Sequence, residues 1–292
     1  MGSVSSVTLW QENMATDQKT FSFELFPPKT EKGFENMRQT VLALNAKSPA
    51  FFSCTYGAGG STQDNTFATI DWLREQGIDT APHLTCIGNS IDDTIDILQR
   101  YKDQGIHRIV ALRGDRPSGT GIGGGDLSYA NELVRLLRER FGDHFHIEVA
   151  AYPEMHPQAP DFDTDVQNFK RKVEAGANSA ITQYFYNVDA YTRFVEQCDR
   201  LGITIPIVPG IMPITNYGNL KRFSDACGAE IPRWISKRLE GFADNVEGIR
   251  AFGADVVTRL CEQLLEAGAP GLHFYTMNQS KPTLQIWDNL GL

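Results

Sequence analysis

One carboxylate interrupts an apolar stretch near the start of the chain, FSFELFPPKT (residues 21–30). Strand alternation places Ser22, Glu24 and Phe26 on one face of this stretch. Burying an unpaired carboxylate is costly, so two interpretations stay open. Either Glu24 points outward or forms an ion pair, or the fold keeps it inside for chemistry. Phenylalanine neighbours would raise its pKa by desolvation, which suits a general acid.

Three further motifs bear on chemistry. An Arg-Gly-Asp sequence at 113–115 follows a predicted strand and would hold an acid and a glycine over a site. GTGIGG at 119–124 has the spacing of a dinucleotide fingerprint, but Pro117 and several loop residues separate it from the strand, so we interpret it as a loop. We interpret His83 and His156 as core or cofactor-contacting residues, and we expect no metal site, because no H-x-H pattern occurs at a strand end.

A polar row runs along one helical stretch. Asp165, Asn168, Arg171 and Lys172 lie three or four residues apart, beside an apolar face. A solvated surface is the ordinary interpretation of such a row. The alternative is a site for a diphosphate and its ribose, favoured by the polar segment 151–157 just upstream.

Composition excludes several classes of protein. The 292 residues carry a net charge of −9, which argues against a general binder of nucleic acid or anionic membranes. Residues 1–20 lack the pattern of a secretory signal, and we predict a leader with one short helix there. No apolar run approaches 18 residues, so we expect no membrane span. Five scattered cysteines without C-x-x-C spacing favour the reducing cytoplasm.

The elements that must position these residues alternate between strands and helices. Such alternation predicts parallel pairing, and eight units close a (β/α)8 TIM barrel. We therefore predict one barrel domain over 21–292 with extra helices before the last strand; a doubly wound open sheet is the competing arrangement. The predicted strands are 21–27, 51–57, 81–86, 108–114, 146–153, 179–186, 206–212 and 271–278.

Helical period is clearest in residues 92–106, where Ile95, Leu98 and Tyr101 are predicted on one buried face. Active sites of such barrels lie at the carboxyl ends of the strands. Those ends are rich in polar, aromatic and glycine residues in this sequence. The pattern favours an enzyme over a non-catalytic scaffold.

Taken in order, the strand ends resemble those of the methylenetetrahydrofolate reductase family. The resemblance covers about residues 20–290. It is carried by FSFELFPPKT, SCTYGAGGS, APHLTC, IVALRGD, VAAYPEMHP, FKRKVEAGANSAITQYFY, VPGIMPITN and HFYTMN.

The resemblance implies a (β/α)8 barrel that binds FAD and reduces 5,10-methylenetetrahydrofolate to 5-methyltetrahydrofolate with NADH or NADPH. Nicotinamide and folate would occupy the same face in turn, in a ping-pong sequence of hydride transfer through the flavin that feeds methionine synthesis. The chain resembles the single-domain bacterial form, and family members associate, so a homo-oligomer is expected.

The resemblance also implies roles for individual residues. Glu24 corresponds to the general acid, which protonates N10 of the folate and opens its five-membered ring to a cation that accepts hydride. Asp115 corresponds to an aspartate near the flavin and the pterin. Gln183 corresponds to a glutamine that contacts folate and nicotinamide in turn, and Phe223 to an aromatic residue that packs on either ligand.

Binding residues carry over in the same way. The expected FAD contacts are Thr55, Tyr56, His83, Arg113, Gly114, Asp115, Ala130, Tyr152, His156, Ala159, Asp165, Asn168, Arg171 and Lys172. The expected substrate contacts are Asp115, Gln183, Asn219, Phe223, Tyr275 and Gln279.

Two positions depart from the enterobacterial pattern. Gln279 stands where an arginine often meets the glutamate tail of the folate, and Asn219 stands where a glutamine is common. We hypothesise that Lys281 substitutes in tail recognition. A flavin-free barrel lyase or aldolase acting on an anionic small molecule is the rival function, and the copurification of FAD separates the two.

Overall fold

The computed structural model describes residues 19–56, 61–114 and 125–292. Within them, nine parallel strands form one nearly closed barrel in the order β7-β6-β5-β4-β3-β2-β1-β9-β8. The predicted (β/α)8 barrel is thereby confirmed. The strands are β1 (Thr20–Leu25), β2 (Phe51–Cys54), β3 (Thr80–Thr85), β4 (Arg108–Leu112), β5 (His146–Ala151), β6 (Ser179–Thr182), β7 (Ile207–Val208), β8 (Gly210–Ile211) and β9 (Gly271–Tyr275).

Helices surround the barrel, and three of them lie between β8 and β9, which confirms the extra helices predicted before the last strand. The helices of the described residues are α1 (Glu31–Asn45), α2 (Ser61–Glu75), α3 (Ile91–Asp103), α4 (Ala130–Phe141), α5 (Phe162–Glu174), α6 (Val188–Arg200), α7 (Tyr217–Cys227), α8 (Arg233–Gly241), α9 (Val246–Glu266) and α10 (Ser280–Asn289).

The seventh barrel strand, predicted as one run over 206–212, is divided at Pro209. Its first part, β7, pairs with β6, and its second part, β8, pairs with β9. Proline has no backbone N–H to donate to a strand ladder, which accounts for the interruption. The Pro209 carbonyl still accepts from the His273 N–H at 3.0 Å, so the segment joins the two ends of the sheet.

The predicted face of α3 needs one correction. Ile97, Leu98 and Tyr101 are buried, whereas Ile95 is only half-buried. The helix begins after Ser90, whose hydroxyl accepts from the third backbone N–H of the helix at 3.1 Å. Because the cap fixes where the helix starts, it also fixes which residues face the barrel.

The barrel strands separate two apolar layers. The outer layer, between strands and helices, contains an aromatic cluster in which Phe23 contacts Phe52, Phe274 and Trp287. A smaller inner cluster is built from Phe51, Ala81, Val110 and Ile181. The outer layer therefore takes most of the aromatic residues of β1 and its neighbours.

None of the described helices is long and apolar enough to cross a membrane. Residues 1–18 lie outside the described part of the chain, so the leader remains a prediction. All five cysteines are free thiols.

Candidate active site

Glu24 lies in the barrel lumen near the carboxyl end of β1. Strand register sets it opposite Ser53 of β2 and Tyr275 of β9. Its side chain is 19% exposed, so it is shielded from bulk water but reachable from the mouth of the barrel. The position is the one where barrel enzymes keep their reacting groups.

Two histidines face the Glu24 carboxyl. His83 Nε2 lies 3.4 Å from Oε2, and His273 Nε2 lies 3.7 Å from the same oxygen. The prediction that phenylalanines surround Glu24 is wrong, because Phe23 packs outward against the helices. His273 was not singled out in the sequence; its place two residues before Tyr275 in the same strand is the signal that would have found it.

His83 is a buried histidine without a hydrogen-bond partner at Nε2 among the described residues. His83 Nε2 and Glu24 Oε2 are close enough for an ion pair when the ring is protonated, but they do not have the geometry of a hydrogen bond. Burial lowers the pKa of His83; the Glu24 charge raises it partly and His273 lowers it further. The ring is therefore neutral near pH 7.

A second orphaned polar atom, Thr85 Oγ1, lies two residues further along β3. Next to it, Gly114 has φ +87°, and an added Cβ would lie 3.0 Å from the Thr85 Cβ. A side chain at position 114 would thus be both strained and crowded. The Arg113 Nε donates to the Gly114 carbonyl at 3.3 Å, while Asp115 lies outside the described residues.

The loop after β5 is braced against α5. The rings of Tyr152 and His156 meet edge to face at 4.6 Å, and the Ala159 N–H donates to the His156 carbonyl at 2.9 Å. The His156 N–H donates to Asp165 Oδ2 at 2.8 Å. These four residues, all expected FAD contacts, therefore form one connected unit.

The polar row of α5 divides into two groups. Asn168 and Arg171 are exposed, and Arg171 donates to Asn168 Oδ1 at 2.8 Å. Lys172 instead turns toward the barrel and donates to the Ala150 carbonyl at 2.5 Å. Burial lowers the pKa of Lys172 to about 8, partly offset by Asp165.

Tyr275 and Gln183 lie close together at the mouth of the lumen. The Tyr275 hydroxyl donates to the Thr182 carbonyl at 2.7 Å, and Gln183 follows Thr182 directly. Gly210 makes this contact possible, because an added Cβ would lie 2.2 Å from the Thr182 oxygen and 2.6 Å from the Tyr275 ring. Burial and the charge of Glu24 raise the pKa of Tyr275.

The remaining expected contacts are distributed around the ends of the strands and the helices that follow them. Thr55 and Tyr56 follow β2, where the Tyr56 hydroxyl bonds to Gln63 and Asn89. Ala130 is the first residue of α4. Asn219 and Phe223 lie on α7, and Gln279 directly precedes α10.

These residues fit a flavin. His83 Nε2 and Thr85 Oγ1 are polar atoms that need partners, as a heterocycle with several nitrogen and oxygen atoms provides. Exposed Arg171 and Asn168 suit a phosphate and a ribose. In the described ranges, no three His, Cys, Asp or Glu side chains are grouped to hold a metal ion.

A parallel (β/α)8 barrel with an acid at its strand ends belongs to a class that consists largely of enzymes. A solved structure from Clostridium thermocellum has the same fold, with a TM-score of 0.68 at 17% identity over 96% of each chain. That structure is described as an uncharacterized protein that binds two copies of 5-methyl-5,6,7,8-tetrahydrofolic acid.

Sequence comparison identifies the family. The methylenetetrahydrofolate reductase family model matches residues 9–291. The 5,10-methylenetetrahydrofolate reductase of Escherichia coli (strain K12) is 40% identical over 94% of this chain and 92% of its own length. The chain belongs to the methylenetetrahydrofolate reductase family.

Plant relatives are longer. The probable methylenetetrahydrofolate reductase (NADH) of Oryza sativa subsp. japonica is 41% identical over 97% of this chain but only 50% of its own length. The chain thus spans about half the length of the plant relatives and nearly all of the bacterial one.

Proposed function

We propose that the protein reduces 5,10-methylenetetrahydrofolate to 5-methyltetrahydrofolate, with FAD as its cofactor and NADH as the reductant. The observation that carries the proposal is the lumenal Glu24 beside two histidines, in a chain of this family. The names of plant relatives, which specify NADH, support NADH over NADPH. The orphaned polar atoms of β3 support FAD.

Glu24 is the proposed general acid. Its proton passes to N10 of the folate, the bond between N10 and the methylene carbon breaks, and its electron pair stays on N10. The methylene carbon, now double-bonded to a cationic N5, takes up a hydride and becomes the methyl group. FAD, when bound, supplies the chemistry that accepts this hydride from NADH and returns it to the folate.

A neutral His83 is the partner that this acid needs. A cation 3.4 Å from Glu24 Oε2 would favour the carboxylate and so withhold the proton. Because burial lowers the pKa of His83, the ring stays uncharged near neutral pH.

The other expected contacts form two groups. Tyr275, Gln183 and Phe223 are proposed to hold the folate and the nicotinamide in turn, which gives a ping-pong sequence. Asp115 is proposed to act beside Glu24. The flavin is proposed to lie over Thr55, Tyr56, His83, Arg113, Gly114, Ala130 and the unit of Tyr152, His156, Ala159 and Asp165, with its phosphates near Asn168, Arg171 and Lys172.

We further propose a cytoplasmic homo-oligomer that supplies 5-methyltetrahydrofolate for methionine synthesis. The free state of all five cysteines is in keeping with a reducing compartment.

A visible absorption spectrum tests the proposal. We expect a yellow protein that loses its colour with anaerobic NADH and regains it with 5,10-methylenetetrahydrofolate. A colourless protein that takes up no added FAD would contradict the proposal and favour a flavin-free lyase or aldolase.

A further inference from the structure

His273 is a completely buried histidine that no role assigned above explains. It lies on β9 opposite Ser22 of β1, one layer below Glu24 in the lumen. Its Nδ1 lies 2.7 Å from the Ser22 hydroxyl oxygen, a short hydrogen bond between two buried side chains. A ring without access to solvent cannot touch a substrate, so any role it has in the reaction must act through a neighbour.

Three contacts fix the orientation of the His273 ring. Besides the bond to Ser22, it stacks on Phe51 with ring centroids 6.1 Å apart and meets Tyr275 edge to face at 5.4 Å. Nε2 consequently points toward the Ser53 hydroxyl at 3.4 Å and Glu24 Oε2 at 3.7 Å. When the Ser22 hydroxyl donates to Nδ1, Nε2 carries the hydrogen and donates it to the Ser53 hydroxyl, while Glu24 Oε2 lies beyond hydrogen-bond distance and faces the same N–H as an electrostatic contact.

Both histidine nitrogens that lie near the Glu24 carboxyl face one oxygen, Oε2. His83 approaches it from β3 and His273 from β9, so Oε2 lies between two imidazoles. We propose that His273 is a positioning residue, whose Nε2–H orients Glu24 through electrostatic contact with Oε2 and leaves Oε1 to deliver the proton. This inference rests on the proposed function, in which Glu24 is the general acid.

Several titratable side chains face Glu24. His83 on β3 and His273 on β9 lie nearest to its carboxyl, and its charge also acts on Cys54 of β2 and Tyr275 of β9. Among the described residues, no lysine or arginine forms an ion pair with Glu24. A change at His273 therefore removes one of the two histidines near the carboxyl and should alter its behaviour measurably.

The test compares two substitutions at one position. His273→Gln keeps an N–H donor near the place of Nε2, whereas His273→Leu has similar bulk and no donor. We expect His273→Leu to slow folate-driven reoxidation of the flavin about 30-fold, less than the loss of about 100-fold or more expected when a general acid itself is removed, while reduction by NADH changes less than twofold. We expect His273→Gln to recover most of the lost rate.

Ser22→Ala serves as a second variant if His273→Leu folds poorly. It frees the His273 ring without changing the volume around Glu24, and we expect the same selective slowing, about fivefold. Equal slowing of both half-reactions, or equal rates for the Gln and Leu variants, would overturn the inference.

Infrared difference spectra of the FAD-free protein provide a readout that does not depend on turnover. The carboxyl band that is lost in Glu24→Gln identifies Glu24, and the inference predicts that this band moves in His273→Leu. An unmoved band would overturn the inference. If wild-type protein performs neither half-reaction, the proposed function fails, but the band still tests the contact between His273 and Glu24.

Discussion

Two of the described glutamates lie inside the barrel near its opposite ends, one buried and one partly exposed, and they differ in their partners. Glu148, on β5 near the amino ends of the strands, accepts from Ser179 Oγ at 2.5 Å and pairs with Arg108 and with His146. Among the described residues, Glu24, at the carboxyl ends, has two histidine nitrogens near its carboxyl, at 3.4 and 3.7 Å. One acid is fully paired and the other is not.

The difference in partners predicts a difference in role. Burial alone would raise the pKa of Glu148, but the hydrogen bond from His146 and the charge of Arg108 hold it below its usual value. Such an acid stays ionised and stabilises the fold. Glu24 forms no ion pair with a lysine or arginine among the described residues and lies close to the mouth of the barrel, where it is placed to transfer a proton to a substrate.

Glu24→Gln should have the largest effect on activity. The amide cannot donate an acidic proton, so turnover with the folate should fall at least about 1000-fold. Because no lysine or arginine of the described residues forms an ion pair with Glu24, the free energy of unfolding of the protein should change by less than about 1 kcal/mol. Steady-state assays measure the turnover, and urea unfolding measures the free energy of unfolding. A large loss of stability with residual turnover would mean that Glu24 stabilises the fold and does not carry the chemistry.

Glu148→Gln should do the opposite. Removing the charge leaves Arg108 without its buried partner, which should lower the free energy of unfolding by about 3 kcal/mol. Both half-reactions should keep their rates in folded protein at low temperature. Glu139→Gln, an exposed acid on α4, is the matched control and should change neither quantity.

The contribution of Glu148 should also depend on pH. Its folded pKa is lower than the ordinary 4.5, so the stability it adds is fully present above about pH 4.5. That stability is lost as the pH falls through the folded value, which lies lower still. The difference in unfolding free energy between wild type and Glu148→Gln should therefore shrink below about pH 4.5. A difference that stays constant from pH 7 to pH 3 would contradict the assignment of a charged Glu148.

Lys281→Ala should have the smallest effect. It tests whether a residue outside the lumen contributes to folate binding without affecting the reaction inside the lumen. Lys281 is exposed on the first turn of α10, beside Gln279. Loss of one surface cation facing a carboxylate tail should raise the folate KM about three- to fivefold and leave kcat unchanged. Lys237→Ala, an exposed lysine on α8, is the control; an unaltered KM in Lys281→Ala would exclude Lys281 from tail recognition.

The sequence predicts the barrel well and its lumen less well. Alternating apolar runs identify every strand, but one of them is divided at Pro209. Proline lacks the backbone N–H that would continue the strand pairing, and the periodicity of apolar residues does not reveal this interruption. The prediction that phenylalanines surround Glu24 was wrong for a related reason. Alternation tells which residues share a face, whereas the neighbours across strands depend on register, which brings His83 and His273 to the acid.

The same limit applies to Lys172. Spacing places it in the polar row with Asn168 and Arg171, yet its side chain reaches the Ala150 carbonyl of the barrel. A long side chain at the edge of a helix face can turn either way, and packing decides which. Asp115, by contrast, lies outside the described residues, and its role remains a prediction.

The most direct test of the account is a single-turnover experiment on the two glutamate variants and wild type. Each protein is first reduced with NADH and then mixed with 5,10-methylenetetrahydrofolate, and the return of flavin absorbance is followed. The account predicts rapid return in wild type and Glu148→Gln and none on the same timescale in Glu24→Gln. Normal return in Glu24→Gln would remove this residue from the chemistry and contradict the account.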